Sequence, residues 1–353
     1  MLRKAKLGVL AAAKATGINS MVLKSRWRQQ RLAILCYHGL SLTDEHLWRP
    51  ALYISEDVFR DRMQRLKQMD CNILPLGEAL ERLRNGSLPP RAVVITFDDG
   101  GFDFYAKAFP ILQEFRFPAT VYLTTSYSVF NRPVFNVMVS YLLWKARGKV
   151  LEWPEILGRI ELDSSGIAEA EDAIRRWARE RKLSDQEKDD LLRELASRLG
   201  VDHARLCADR VLHLMRADEA RAVAVAGIDL QLHTHGHRTP TVREPFLREI
   251  EENRKIVEEL GSAPALDFCY PCGVFLPQHL PFLREAGVRS ATTCEPGLAS
   301  REDDPLLLPR ILDVGGMTPL EFESWISGLA SFLPRRSREN LESATLEEIS
   351  PSS

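Results

Sequence analysis

Short apolar runs alternate with amphipathic stretches along most of this sequence, and that alternation leaves few folds open. Apolar, β-branched runs read as strands at 33–37, 73–74, 93–97, 119–124, 228–232, 266–270 and 290–293. Helical spacing between them predicts helices over 56–69, 77–84, 103–115, 246–260 and 279–286, the third kinked by Pro110. Strand–helix alternation of this kind builds a parallel sheet or a closed barrel. Residues 131–217 depart from it: charged and helical, they read as an insertion, or lid, between two barrel halves. The domain proper is expected over 31–334, after a basic leader at 1–30 and before a polar tail at 335–353.

Composition removes some classes of function. The 353 residues, 45% hydrophobic, are enough for a sizeable core. Lys and Arg number 47 against 49 Asp and Glu, a net charge of -2, so no global field favours nucleic acid as a partner. Cys36, Cys71, Cys207, Cys269, Cys272 and Cys294 are too dispersed for a disulfide scaffold and point to a reducing, cytoplasmic setting. Cys269 and Cys272 have C-x-x-C spacing, but no second such pair completes a zinc set, so they read as incidental. In the leader, Lys14 interrupts the apolar patch 7–13 before it reaches signal-peptide length, and no run approaches the ~20 residues of a membrane span. The leader reads as a basic amphipathic helix, docked on the domain or making a peripheral membrane contact.

In parallel α/β folds, functional groups gather at the carboxyl ends of strands. The run VVITFDDG, 93–100, brings Asp98 and Asp99 to such an end. Adjacent carboxylates there are costly unless a cation or a raised pKa accommodates them; the alternative is that one caps the next helix and the other is solvated. Asp103 reads as a helix cap. A second strand runs into His233-Thr234-His235-Gly236-His237, three of the chain's eight histidines, for which metal binding is the leading explanation. A helical turn would put His233 and His237 on one face, whereas a continued strand would align all three. Gly236 and Pro240 argue against the strand, so the pair is the candidate. One carboxylate with two imidazoles leaves positions for water and suits a catalytic divalent metal such as Zn2+, although the same set serves non-haem iron.

In combination and order, Thr96-Phe97-Asp98-Asp99-Gly100, His233 to His237 and the turn Tyr270-Pro271-Cys272-Gly273 resemble three motifs of the polysaccharide deacetylase family, the NodB-homology or carbohydrate esterase family 4 domain. The resemblance runs from about 33 to 313, outside the insertion, and implies a distorted (β/α) barrel. It implies that Asp98 is the base acting on a metal-activated water and that Asp99, His233 and His237 hold the metal. The backbone N–H of Cys272 would help stabilise the oxyanion, with Tyr270 and Arg310 further oxyanion or substrate residues. No histidine lies beyond His279 to serve as the family's usual Leu-x-His acid, so His38, in Leu35-Cys36-Tyr37-His38-Gly39, is the candidate acid, as in members with a rearranged motif order. The Arg that often precedes the third motif is Cys269 here, and Arg310 or Arg238 could substitute. Glu295 reads as a turn residue.

The implied activity is metal-dependent removal of an N-acyl group, acetyl foremost, from an amino sugar of a glycan, an oligosaccharide or a lipid-linked precursor. Two alternatives compete. One is an amidohydrolase-type barrel, suggested by His233-x-His235 but disfavoured by its position late in the chain. The other is a degenerate domain that binds glycan without turnover, suggested by the missing Arg and by Cys272 in place of an aromatic.

Overall fold

The computed structural model describes residues 2–126, 132–261 and 263–333. Seven parallel strands close on themselves: β1 (Ala33–Tyr37), β2 (Ala92–Phe97), β3 (Thr120–Leu123), β4 (Asp229–Leu232), β5 (Asp267–Cys269), β6 (Ser290–Pro296) and β7 (Leu308–Leu312). Closure rests on β1, which pairs with β2 from Ala33↔Val93 to Tyr37↔Phe97 and with β7 at Leu35↔Ile311 and Cys36↔Leu312. A short strand, Asn72–Ile73, pairs with the start of β2. The expected (β/α) barrel is therefore the observed fold.

Burial on both faces explains why these strands read as unbroken apolar runs. In β1 and β2, Ala33, Leu35, Tyr37, Val93, Ile95 and Phe97 pack outward on helix residues such as Phe59, Met63 and Phe104. Alternate residues Ile34 and Val94 face inward with Tyr122, Cys269 and Leu308, and helix Leu76–Asn85 joins that inner cluster. The same alternation turns Cys36, Thr96 and Asp98 inward.

Three elements differ from the sequence-based expectation. β7 has no apolar periodicity, because Pro309 and Arg310 interrupt it, and it pairs irregularly with β6 between Thr292 and Pro296. Pro110 does not kink a continuous helix. A π-helical turn, Phe104–Ala108, precedes helix Phe109–Phe115, so Pro110 falls in the first turn, where a missing N–H costs nothing. Between β3 and β4, helices Phe135–Lys145, Ser164–Glu180, Asp185–Leu199 and His203–Ala208 are joined by an unanticipated antiparallel hairpin, Val150–Trp153 with Gly158–Glu161. This segment has its own apolar core, on which Leu42, Trp48 and Tyr53 from the loop after β1 also pack.

At the amino end, helices Leu2–Ala15 and Ile18–Lys24 lie against helix Pro319–Ser327, with Leu10 and Ala13 buried and Lys14 paired with Glu323. Val9, Ile18 and Met21 face solvent. Among the described residues, no helix is long and apolar enough to cross a membrane. The tail expected at 335–353 lies outside the described residues.

A buried ionic network braces the closing seam. Arg62, 2% exposed, donates from Nε to Asp313 Oδ2 at 2.9 Å, and the Tyr37 hydroxyl donates to the same oxygen at 3.0 Å. Arg62→Met leaves the Asp313 carboxylate buried without its cation, and is expected to destabilise the fold by about 3–5 kcal/mol. Urea unfolding at neutral pH measures this; a change below about 1 kcal/mol would remove the network from its bracing role.

Candidate active site

The carboxyl ends of β2, β4 and β5 converge, and each arrives with an unusual backbone. Asp99 has φ 70° and Gly100 φ 81°, so the chain reverses sharply after β2 and turns the two aspartates apart. After β4, Thr234 and His237 have φ 62° and 54°. The expected pairing of His233 with His237 occurs, but two left-handed residues in an irregular turn produce it, not a helical turn. The imidazole centroids lie 5.0 Å apart.

Asp99, His233 and His237 form one cluster. Oδ1 of Asp99 stands 3.1 Å from Nε2 of each histidine. His233 Nδ1 lies 2.8 Å from the carbonyl oxygen of Cys269, which can only accept, so Nδ1 carries a proton and Nε2 is the nitrogen turned to Asp99. Two ring nitrogens this close to one carboxylate oxygen call for protons or a cation between them. Tetrahedral zinc bonds of ~2.1 Å separate ligands by about 3.4 Å, close to the observed spacing. The donor set fits a divalent metal. The sequence did not single out Asn253, whose side chain is buried in helix Arg243–Gly261 and holds this cluster. Its Oδ1 accepts from the His233 N–H at 2.9 Å, while its Nδ2 donates to the Leu123 carbonyl and to Thr125 Oγ1.

Asp98 sits deeper, 2% exposed, and is held by Arg310 from β7. The guanidinium donates from Nη1 to Oδ1 at 2.7 Å and from Nη2 to Oδ2 at 2.8 Å, a bidentate pair. Its Nε donates to the Thr293 carbonyl at 2.9 Å, and Nη2 lies 3.1 Å from the Cys269 sulfur. The guanidinium thus reaches Asp98 past Cys269, the position where the family often has its Arg. Arg238 does not compete, since it pairs with Glu249. Burial alone would raise the Asp98 carboxyl, but the charge and hydrogen bonds of Arg310, aided by His38, hold it below the usual carboxylate range. His38 Nε2 lies 3.8 Å from Asp98 Oδ2, at the mouth side.

The remaining candidates divide. All six cysteines are thiols, and burial pushes those of Cys36 and Cys269 well above the usual range despite Arg310. Such protonated thiols are poor redox groups. Cys272 is exposed at φ 56° in the tight turn Pro271–Gly273, which abuts Cys294: a Cβ on Gly273 would fall 2.6 Å from the Cys294 sulfur. Tyr270 is a correction. Its ring is fully buried on Phe268 and Phe275, and its hydroxyl donates to the Leu306 carbonyl at 3.0 Å, so its side chain does not face a substrate. Asp103 is a second correction. It caps no helix by its side chain; its Oδ2 accepts the Leu40 N–H at 2.6 Å, and burial pushes its carboxyl up to about 7.

Comparison with known proteins gives the same picture. Residues 85–163 match the family model for polysaccharide deacetylase. That segment is thus similar to polysaccharide deacetylases. It is 35% identical over 74 residues to the poly-beta-1,6-N-acetyl-D-glucosamine N-deacetylase of Staphylococcus epidermidis, covering 21% of this chain and 26% of that protein. It is 30% identical over 101 residues to the protein of the same name from Escherichia coli K12, covering 28% of this chain and 15% of that one. The match therefore spans only a minor part of these relatives. Among solved structures, Streptococcus pyogenes deacetylase PplD in complex with acetate superimposes with a TM-score of 0.57 at 18% identity, over 84% of this chain and 98% of that one. IcaB from Ammonifex degensii does so with 0.53 at 18% identity, over 84% and 97%. These likenesses concern the fold.

The Asp98–Arg310 pair has a testable pH signature. A carboxyl held below its unfolded value contributes stability above about pH 4 that is lost only as the pH falls through the lower folded value. In Arg310→Met burial is opposed only by the weaker influence of His38 and His233, the folded Asp98 value rises, and the stability that its ionised form contributes above about pH 4 is reduced. The gap between wild type and variant should therefore widen from pH 4 to pH 7 in urea unfolding, and a gap independent of pH would contradict this account of Asp98.

Proposed function

We propose that this chain is a metal-dependent hydrolase that removes an N-acyl group, most simply acetyl, from an amino sugar in a glycan or glycan precursor. The single observation that carries the reading is the division of labour between two neighbouring aspartates. Asp99 faces His233 and His237 at 3.1 Å, whereas Asp98 is set apart from that cluster, gripped by Arg310 and within 3.8 Å of His38. Amide hydrolysis needs such a division: an electrophilic centre, a separate carboxylate to take a proton, and an acid for the departing nitrogen.

Asp99, His233 and His237 would hold the divalent cation, Zn2+ being the best match to two imidazoles and one carboxylate. When bound, that cation supplies Lewis acidity, polarising the acyl carbonyl and bringing the pKa of a water to near ~7. Asp98 stays ionised throughout the neutral range and accepts the proton of the attacking water. Arg310 fixes the carboxylate plane, and the thiols of Cys36 and Cys269, each 3.5 Å from Oδ2, pack beside it. His38 protonates the amine as the C–N bond breaks. The N–H of Cys272, in its left-handed turn, is the candidate donor to the oxyanion. Arg310 also removes one ground for a non-catalytic glycan-binding domain, since an arginine does engage the base.

The names of the curated relatives support poly-N-acetylglucosamine as the first substrate to try, followed by shorter oligosaccharides and lipid-linked amino sugars. The solvent-facing Val9, Ile18 and Met21 would give a lipid-linked substrate a peripheral membrane contact. Purified protein is expected to hold close to one divalent ion per chain and to release acetate from N-acetylglucosamine oligomers. Asp98→Asn should keep the ion and lose at least about 100-fold in rate. Wild-type turnover in that variant would remove Asp98 as the base, and protein without metal would overturn the reading of the cluster.

A further inference from the structure

His38 poses a positional problem. Its Nε2 reaches Asp98 Oδ2 only at 3.8 Å, beyond hydrogen-bond range, and among the described residues its ring has no hydrogen bond of its own. A side chain without a tether is aimed by its backbone. Tyr37 on the amino side is fixed by β1, with its carbonyl accepting the Asp98 N–H at 2.9 Å. On the carboxyl side the chain leaves the barrel at Gly39 and Leu40, which form a two-residue parallel pairing with Tyr53 and Ile54. The Gly39 N–H donates to the Leu52 carbonyl at 3.1 Å, and the Leu40 N–H turns to Asp103 Oδ2 at 2.6 Å.

Asp103 is itself held on a firm base. It follows the loop that carries Asp98 and Asp99, and that loop is stitched to the end of the insertion. Phe102 N–H donates to the His213 carbonyl at 2.9 Å, and Met215 N–H donates to the Gly100 carbonyl at 2.9 Å. Gly101 and Leu214 form an isolated antiparallel bridge. The carboxylate of Asp103 then lies wedged between two glycine backbones. A Cβ on Gly39 would fall 2.8 Å from its Oδ2 and 2.5 Å from the Tyr53 ring, and a Cβ on Gly101 would collide with its Oδ1. Both glycines are therefore required for the two catalytic loops to close on one carboxylate, which explains why glycine follows His38 directly.

We infer that Asp103 is a positioning residue: its carboxylate clamps the loop after β1 to the loop after β2 and thereby sets the distance from His38 to Asp98. The inference rests on the proposed role of His38 as the acid. Because His233 is held by Asn253 and the Cys269 carbonyl, and the loop of Asp99 is tied to Thr124 and to the end of the insertion by backbone hydrogen bonds that do not involve Asp103, loss of the clamp leaves metal binding in place and affects the step that needs His38.

The test compares Asp103→Ala, Asp103→Asn, His38→Ala and the double variant His38→Ala/Asp103→Ala in the full chain, by metal content and by kcat and KM for acetate release from N-acetylglucosamine oligomers. Asp103→Ala is expected to lose about 10- to 100-fold in kcat, with KM changed less than about threefold and metal content unchanged. Asp103→Asn keeps an oxygen that accepts the Leu40 N–H, and should recover most of the loss. In the double variant the loss should be no greater than in His38→Ala alone, since both changes remove the same interaction. If Asp103→Ala does not fold, Asp103→Ser, whose hydroxyl is too short to span to Leu40, carries the same comparison. Multiplying losses in the double variant, or loss of metal from Asp103→Ala, overturns the clamp while leaving His38 as the acid. Wild-type kcat in His38→Ala removes the acid itself, and the inference with it.

Discussion

The buried bidentate pair between Arg310 and Asp98 is the interaction on which the rest of this molecule depends. It joins the carboxyl end of β2 to β7 through the barrel interior, at 2.7 and 2.8 Å, with both partners almost wholly removed from water. Charges so placed are tolerable only because every strong donor and acceptor finds a partner: Nε meets the Thr293 carbonyl and Nη1 also reaches Thr96 Oγ1 at 3.3 Å. The pair stabilises closure only while intact, and the same hydrogen bonds keep Asp98 ionised and fixed in plane.

A barrel that spends its interior on a polar pair needs apolar packing elsewhere. The chain supplies it on the outer face of the strands, where Tyr37, Phe59, Phe97 and Phe104 form a continuous aromatic cluster. Rigidity built outside thus supports charge inside. The insertion extends the same scheme: its own core is apolar, it contacts the loops after β1 and β2, and among the described residues it adds no titratable group to the cluster of Asp99, His233 and His237.

Much of this was legible in the residues. Strand ends, the paired aspartates and the spaced histidines follow from periodicity and side-chain chemistry, and resemblance to a family assigned them an order. The seventh strand was not legible, because a buried Arg and a Pro erase the apolar pattern on which strand recognition depends. Asn253 was hidden for a related reason: a lone amide in a charged helix reads as surface until its three partners are seen. Tyr270 was misread because adjacency to a motif says nothing of which way a ring points, and β5 turns it into the core.

By itself, the sequence determined the kinds of group available and the strand ends that deliver them, because alternation at period two and the chemistry of Asp and His are local properties. Only the tertiary structure decided which groups act together. Asp98 and Arg310 lie more than two hundred residues apart, and nothing local chose between Arg310 and Arg238 as the partner of Asp98. Closure of the barrel did, by bringing β7 beside β1 and turning one guanidinium inward. Likewise His233 and His237 share a site because Thr234 and His237 adopt left-handed backbone, which the fold of the loop imposes on Thr234 against the preference of a β-branched residue.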